Sequence, residues 1–228
     1  MTTTKTSSFA TFGRGARLAT LALAVALAAC GKTGDSTPAA QSAATGPQTG
    51  GTLVYLEQQA HNALYPPNGG FYPNGGILNQ ITDKLTYQNP KTLEIEPWIA
   101  ESWTINATAT EYTFKLRPGV TFSDGSPLDA EAVALNFDTF GLGNKALKQS
   151  VSEVINNYDR SEVVDPLTVR FYFKKPSPGF LQGTSVIGSG LVAKSTLALS
   201  IDQLGDATRI VGSGPVSYTH LTLPTSDL

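Results

Sequence analysis

Glu111-Tyr-Thr-Phe-Lys-Leu-Arg-Pro-Gly-Val-Thr-Phe-Ser-Asp-Gly-Ser-Pro-Leu-Asp-Ala-Glu-Ala-Val133 reads, in one run, as two strands, two turns and the start of a helix. Tyr112, Phe114 and Leu116 alternate with Thr113, Lys115 and Arg117, the period of a strand with one buried face. Pro118-Gly119 closes it. Val120 and Phe122 open a second short strand that ends at the Asp124-Gly125 turn, so the pair reads as a hairpin. Asp129 stands where a helix needs an N-cap acceptor, and Glu131 lies in the first turn. Val133, Phe137 and Phe140 then recur on one face until Gly141, which reads as the stop. A half-buried strand followed by a capped amphipathic helix predicts a sheet covered by that helix.

Outward from this run, Thr52-Leu-Val-Tyr-Leu56 is an apolar stretch suited to a buried strand. Gly69-Gly70 and Pro73-Asn-Gly-Gly76 are breaker clusters on either side of Phe71 and Tyr72. Ile77, Leu78, Ile81 and Leu85 recur at helical spacing, and Asn89-Pro90 reads as the end of that element. Val169, Phe171 and Phe173 alternate again before Lys174-Lys175-Pro176. Strands and helices are intermixed without a regular βαβ rhythm, so the class is mixed α/β.

Composition narrows the function. Only 15% of the 228 residues are charged, against roughly 25% in an average globular protein. The formal net charge is −2, which supplies no basic face for nucleic acid. A single cysteine excludes a disulfide framework, and two histidines leave little for a zinc site. Across 51–215 there are 12 Lys plus Arg against 16 Asp plus Glu, an excess of four acids.

The two ends read differently from the middle. Lys5, Arg14 and Arg17 precede an apolar stretch over 18–29. Twelve helical residues span about 18 Å, short of the roughly 30 Å hydrocarbon core, so 1–29 is expected to be a secretory signal peptide. Leu27-Ala28-Ala29-Cys30 resembles the bacterial lipobox, which implies that Cys30 is lipidated and becomes the new N-terminus. Residues 30–50, rich in Gly, Ser, Thr and Pro and free of aromatic residues, are expected to be a flexible tether. At the other end, Val216-Ser-Tyr-Thr-His-Leu-Thr-Leu-Pro-Thr225 resembles the in-frame translation of a transposon-end sequencing adapter. Residues 216–228 are therefore expected to be a non-native tail.

The central region carries a more specific likeness. Glu96-Pro-Trp-Ile-Ala-Glu-Ser-Trp103, the run from Glu111 to Val133, Val163-Val-Asp-Pro-Leu-Thr-Val-Arg-Phe171 and Val211-Gly-Ser-Gly-Pro215 together resemble the family 5 extracellular solute-binding proteins. These are the peptide- and nickel-binding components of ABC importers. The resemblance covers essentially all of 51–215 and implies a periplasmic-binding-protein-like (class II) fold. It also implies that 51–215 is largely the first lobe of a two-lobed protein. Its partners would be a small-molecule or peptide ligand, ABC permease subunits and, through the lipid anchor, the membrane. It would sit on the extracytoplasmic face of the cell membrane, with no nucleic acid partner and no cofactor.

The signature residues themselves read as scaffold. The resemblance places the segment after the first strand, Glu57, Gln58 and Gln59, at the border of the ligand cleft. The Gly-rich loop adds Phe71, Tyr72 and Asn74 as candidates facing the same space, since aromatic and amide groups suit peptide-like ligands. These residues read equally well as ordinary loop and core positions. Trp98 and Trp103 read as packing residues, and Asn106-Ala-Thr108 as an idle glycosylation pattern. The competing class is an extracytoplasmic hydrolase. Gly183-Thr-Ser-Val-Ile-Gly188 lacks the spacing of a nucleophile elbow, and His61 is the one histidine outside the tail. The expectation is a receptor and not an enzyme, with saturable binding and no turnover.

Overall fold

The computed structural model describes residues 54, 56, 58–61, 63–70 and 72–216. The signal segment, Cys30, the tether, Glu57, Phe71 and 217–228 lie outside the described residues, as does the side chain of Tyr72. In chain order the elements are α1 (Pro66–Gly69), α2 (Gly75–Ile81), β1 (Thr86–Gln88), β2 (Ile95–Pro97), β3 (Ala100–Ile105) and β4 (Glu111–Leu116). They continue with α3 (Ala130–Leu142), β5 (Tyr158–Asp165), β6 (Thr168–Phe173), α4 (Phe180–Gly183) and α5 (Lys194–Leu197). Short 3-10 turns lie at Tyr72–Asn74, Ile187–Ser189, Gln203–Gly205 and Ala207–Arg209.

The main sheet is antiparallel in the order β3-β4-β6-β5. Tyr112 stands opposite Phe171 and Phe114 opposite Val169. Tyr112, Phe114, Leu116, Val169 and Phe171 all have zero exposure, as their alternation requires. The α3 helix covers this face with Val133, Phe137 and Phe140. Phe137 meets Phe171 at 4.6 Å between ring centroids, and Phe180 from α4 reaches Tyr112 at 5.0 Å and Phe173 at 4.5 Å. Such tilted and edge-on contacts suit the ring quadrupoles and add to simple burial. The helix start is the one expected: the Asp129 carboxylate accepts from Ala132 N–H at 2.9 Å.

Four local expectations are corrected. Val120–Phe122 do not pair with β4, because both of its edges are occupied, by β3 and β6. Gly119, at φ 76°, turns the chain away. The segment then closes on itself, Phe122 N–H to Ser126 O at 2.8 Å and Leu128 N–H to Val120 O at 2.9 Å. The second correction concerns the end of α3. Gly141 lies inside it, where a Cβ would collide with the Tyr158 ring, so this glycine sets the closeness of α3 to β5. The helix ends instead at Gly143, whose φ of 71° suits glycine.

The third correction is that α2 stops at Ile81. Thr82 turns extended while its N–H and hydroxyl both donate to Leu78 O. Asn89-Pro90 is instead the turn of the β1–β2 ribbon, its Asn89 Oδ1 accepting from Lys91 N–H at 2.9 Å. Finally, Val54 and Leu56 are 74% and 86% exposed and outside any strand. No described strand lies beside them to take up their backbone groups and cover their side chains.

Two buried phenols give this fold an alkaline limit. Burial pushes the Tyr65 hydroxyl upward, and it has no hydrogen-bond partner among the described residues. Burial, reinforced by donation to Asp138 at 2.6 Å, does the same to Tyr158. A folded-state pKa above the unfolded value of about 10 means that the neutral phenols favour the fold. Their contribution is complete below about pH 10 and is lost as pH rises beyond it. Urea unfolding should therefore show stability falling above about pH 10, less steeply in Tyr158→Phe. An equal slope in the variant would remove Tyr158 from the cause.

Candidate functional site

Four chain segments that lie far apart in sequence meet beside the sheet. The α1 helix packs against the turn at Ile187–Ser189. A Cβ on Gly188 would lie 3.6 Å from Pro66 O and 3.8 Å from Gly70 Cα. Leu191 N–H donates to Asp83 O at 2.8 Å, and Ala193 N–H to Val211 O at 2.8 Å. Gly212 bridges Val192, and Gly214 N–H donates to Ile81 O at 3.2 Å. Val216 N–H donates to Gln80 O at 3.0 Å. Gly212 has no room for a Cβ, which would strike the Ile81 carbonyl.

One helix side chain fastens this junction to the core. Asn136 is fully buried on α3. Its Nδ2 donates to Val192 O at 2.8 Å, and its Oδ1 accepts from Val192 N–H at 3.0 Å. The side chain thus serves Val192 as a neighbouring strand would. The hydroxyls of Thr86 and Thr184 meet at 2.8 Å in a second buried tie.

The residues singled out from sequence fall variously around this junction. Gln58 and Gln59 are exposed ahead of α1, and His61 is half-buried. Asn74, expected to be exposed, has zero exposure, and its Nδ2 donates to Gly69 O at 3.1 Å. It fastens the Gly-rich loop from inside because the backbone of α1 needs an amide donor there. Trp98 is 45% exposed, leans on Tyr87 at 5.8 Å and donates from its indole to Asp83 at 2.9 Å. Trp103 packs on Phe114 at 6.2 Å.

Sequence reading missed the contribution of 184–193 and 210–216. The available signal was their glycines: Gly188, Gly212 and Gly214, where backbones approach closely, and Gly190, where a Cβ would strike the Thr82 side chain. Beside the junction, a cleft of about 290 Å³ opens between the loops 154–157 and 176–180, with Phe180 at its base. Burial pushes the Lys84 ammonium below the usual lysine range, opposed in part by Asp83. Among the described residues no three His, Cys, Asp or Glu side chains gather as a metal site. No described helix is long and apolar enough to cross a membrane.

Residues 94–220 match the bacterial extracellular solute-binding proteins, family 5 Middle. This is more than half of the chain, and the chain belongs to that family. It is similar to the glutathione-binding protein GsiB of Salmonella paratyphi A, 30% identical over 148 residues that make up 63% of this chain and 28% of the relative. Among solved structures it resembles NikA from Brucella suis in complex with Fe(III)-EDTA, with a TM-score of 0.55 and 30% identity. That match covers 71% of this chain and 32% of that one. It also resembles DppA from Helicobacter pylori in complex with the peptide STSA, with a TM-score of 0.54 and 23% identity, over 67% and 33%. The fold is accordingly periplasmic-binding-protein-like, and the chain spans about a third or less of the length of these relatives.

Proposed function

We propose that this chain is part of the substrate-binding component of an ABC importer, holding one lobe of a receptor that captures a small solute and presents it to membrane permease subunits. Family membership across 94–220 carries the reading. In this account 51–215 form the first lobe, and a second lobe completes the cleft. The junction of α1, the turn at 187–189 and the segment 210–215 forms one wall of that cleft. The exposed Gln58 and Gln59 are the described residues assigned to its edge. The solute is a short peptide or a molecule with peptide-like amides. Support comes from the likeness to a glutathione-binding protein, glutathione being itself a small peptide. Nothing in the site favours the hydrolase alternative.

The receptor is tethered by lipid on Cys30, with 1–29 removed and 30–50 as the spacer. Several acyl chains anchor stably where one alone is marginal. Cys30→Ser should move the protein from the membrane fraction to the soluble extracytoplasmic fraction. Equal membrane retention of both forms, read by fractionation and blotting, would defeat the anchoring claim. The receptor reading itself is tested by calorimetric titration with di- and tripeptides, where saturable heat without release of cleavage products is the expected result.

A further inference from the structure

All but two of the described lysines and arginines are exposed; Lys84 and Arg170 are half-buried. Arg170 lies among carboxylates, 3.4 Å from Glu111 and 3.8 Å from Glu162. Lys84 forms no ion pair among the described residues. Its Nζ donates instead to a neutral amide oxygen, Asn79 Oδ1, at 2.6 Å. Asp83 beside it accepts from the Trp98 indole. Burial holds the Lys84 pKa below the usual lysine range, and Asp83 offsets this only in part. The fold carries this cation onto the junction. Segment 82–86 runs beside 184–191: Asp83 O accepts from Leu191 N–H at 2.8 Å, and Thr86 N–H donates to Thr184 O at 3.4 Å. Asn79, which holds the ammonium, lies one turn from Gly75 on α2, and residues four apart share a helix face. A Cβ on Gly75 would meet Ile187 at 3.7 Å. The ammonium is thereby brought to the face of α2 that meets the turn at 187–189. Lys175 and Lys194, which bound the stretch 176–193, are exposed and keep their water.

We propose that Lys84 is a specificity-determining residue of the receptor, its ammonium receiving a carboxylate of the solute. The proposal rests on the reading of this junction as a solute wall and of the solute as a short peptide. A half-buried ammonium held by one neutral amide has given up part of its hydration without gaining a counter-charge. A carboxylate closed against it restores that loss through a charge-assisted hydrogen bond, which is stronger than a neutral one. An ammonium has further N–H donors, so Lys84 keeps Asn79 while taking the carboxylate. Asn79 is then a positioning residue, holding the cation at the wall without cancelling its charge. The solute class narrows accordingly to molecules with a free carboxylate at the end that lies on this wall.

Trialanine and its C-terminal amide differ only in that carboxylate. Both would be titrated calorimetrically into the full-length gene product and its variants, with thermal unfolding followed in the absence of solute. The unsubstituted protein should bind the free acid about tenfold or more tightly than the amide. Lys84→Met should abolish that preference by weakening the acid and leaving the amide unchanged, whereas Lys84→Arg should retain most of it. Asn79→Asp, at an exposed position of α2, supplies an internal carboxylate and leaves the lysine in place. It should also weaken the acid alone, and it keeps the test open should Lys84→Met misfold. Equal affinity of the unsubstituted protein for acid and amide would overturn the assignment, as would equal weakening of both probes, or of neither, by Lys84→Met. Lowered thermal stability of solute-free Lys84→Met with the preference intact would give Lys84 a carboxylate of the receptor itself, again overturning it. Failure of the unsubstituted protein to bind either probe would overturn the peptide reading, and this proposal with it.

Discussion

Phe137→Ala is expected to destabilise the domain by about 3–5 kcal/mol. Its ring has zero exposure and touches Phe171 at 4.6 Å, Phe180 at 5.7 Å and Phe140 at 6.1 Å. It therefore joins α3, the sheet and α4 at one point. Truncation loses the transfer energy of the ring and leaves a void among neighbours held by their own strands and helices, which relax little. Phe114→Ala should cost a similar amount for the same reason, since Phe114 contacts Phe171 at 5.7 Å and Phe180 at 6.3 Å. Gln58→Ala, at an exposed loop position, should change stability by no more than about 0.5 kcal/mol. Urea unfolding of the three variants separates scaffold from rim. A penalty at Gln58 equal to that at Phe137 would contradict the division.

Asn136→Leu is the second large effect. Leucine fills a similar volume but leaves the Val192 N–H and C=O buried without partners. Each stranded group costs about 1–3 kcal/mol, so a total near 3–5 kcal/mol is expected. The loss should be local before it is global. Val192 and its bridge partner Gly212 should show faster amide exchange at denaturant concentrations where β4 and β6 remain protected. Uniform acceleration across the sheet would mean that Asn136 supports the core generally and does not specifically hold the wall.

The parts of this fold that were legible in sequence are those decided locally. The alternation of Tyr112, Phe114 and Leu116, and of Val169, Phe171 and Phe173, is written in the residues themselves. So is the Asp129 cap. What was illegible depends on partners far along the chain. Val120–Phe122 looked like the neighbour of β4 because they follow it, yet β6 and β3 compete for the same edges and win. The β3 strand shows little alternation and is mostly exposed, and β5 carries irregularities in its pairing and an exposed C-terminal half. Neither leaves a periodic trace.

The glycines make the same point. Gly141 and Gly143 look alike in sequence, but one accommodates the Tyr158 ring and the other supplies a positive φ. Asn74 has the composition of a ligand contact and is buried inside its own loop. The wall was the least legible part. The whole sheet and helix α3 separate α1 and α2 from the segments 184–193 and 210–216, and only the glycines of those later segments marked them as places of close packing.

The central claim is that this chain supplies one wall of a solute site that needs a second. Receptors of this architecture bind by closing around the ligand, so affinity is drawn from both walls and from the water they expel. If two walls share a micromolar affinity of about −8 kcal/mol equally, one alone retains about −4 kcal/mol, which is millimolar. The decisive measurement is calorimetric titration of the 228-residue chain and of the full-length gene product against the same di- and tripeptides. The account predicts saturable binding near micromolar concentration by the full-length protein and none below roughly millimolar by the chain alone. Micromolar binding by the 228-residue chain would contradict it, because a single wall would then suffice.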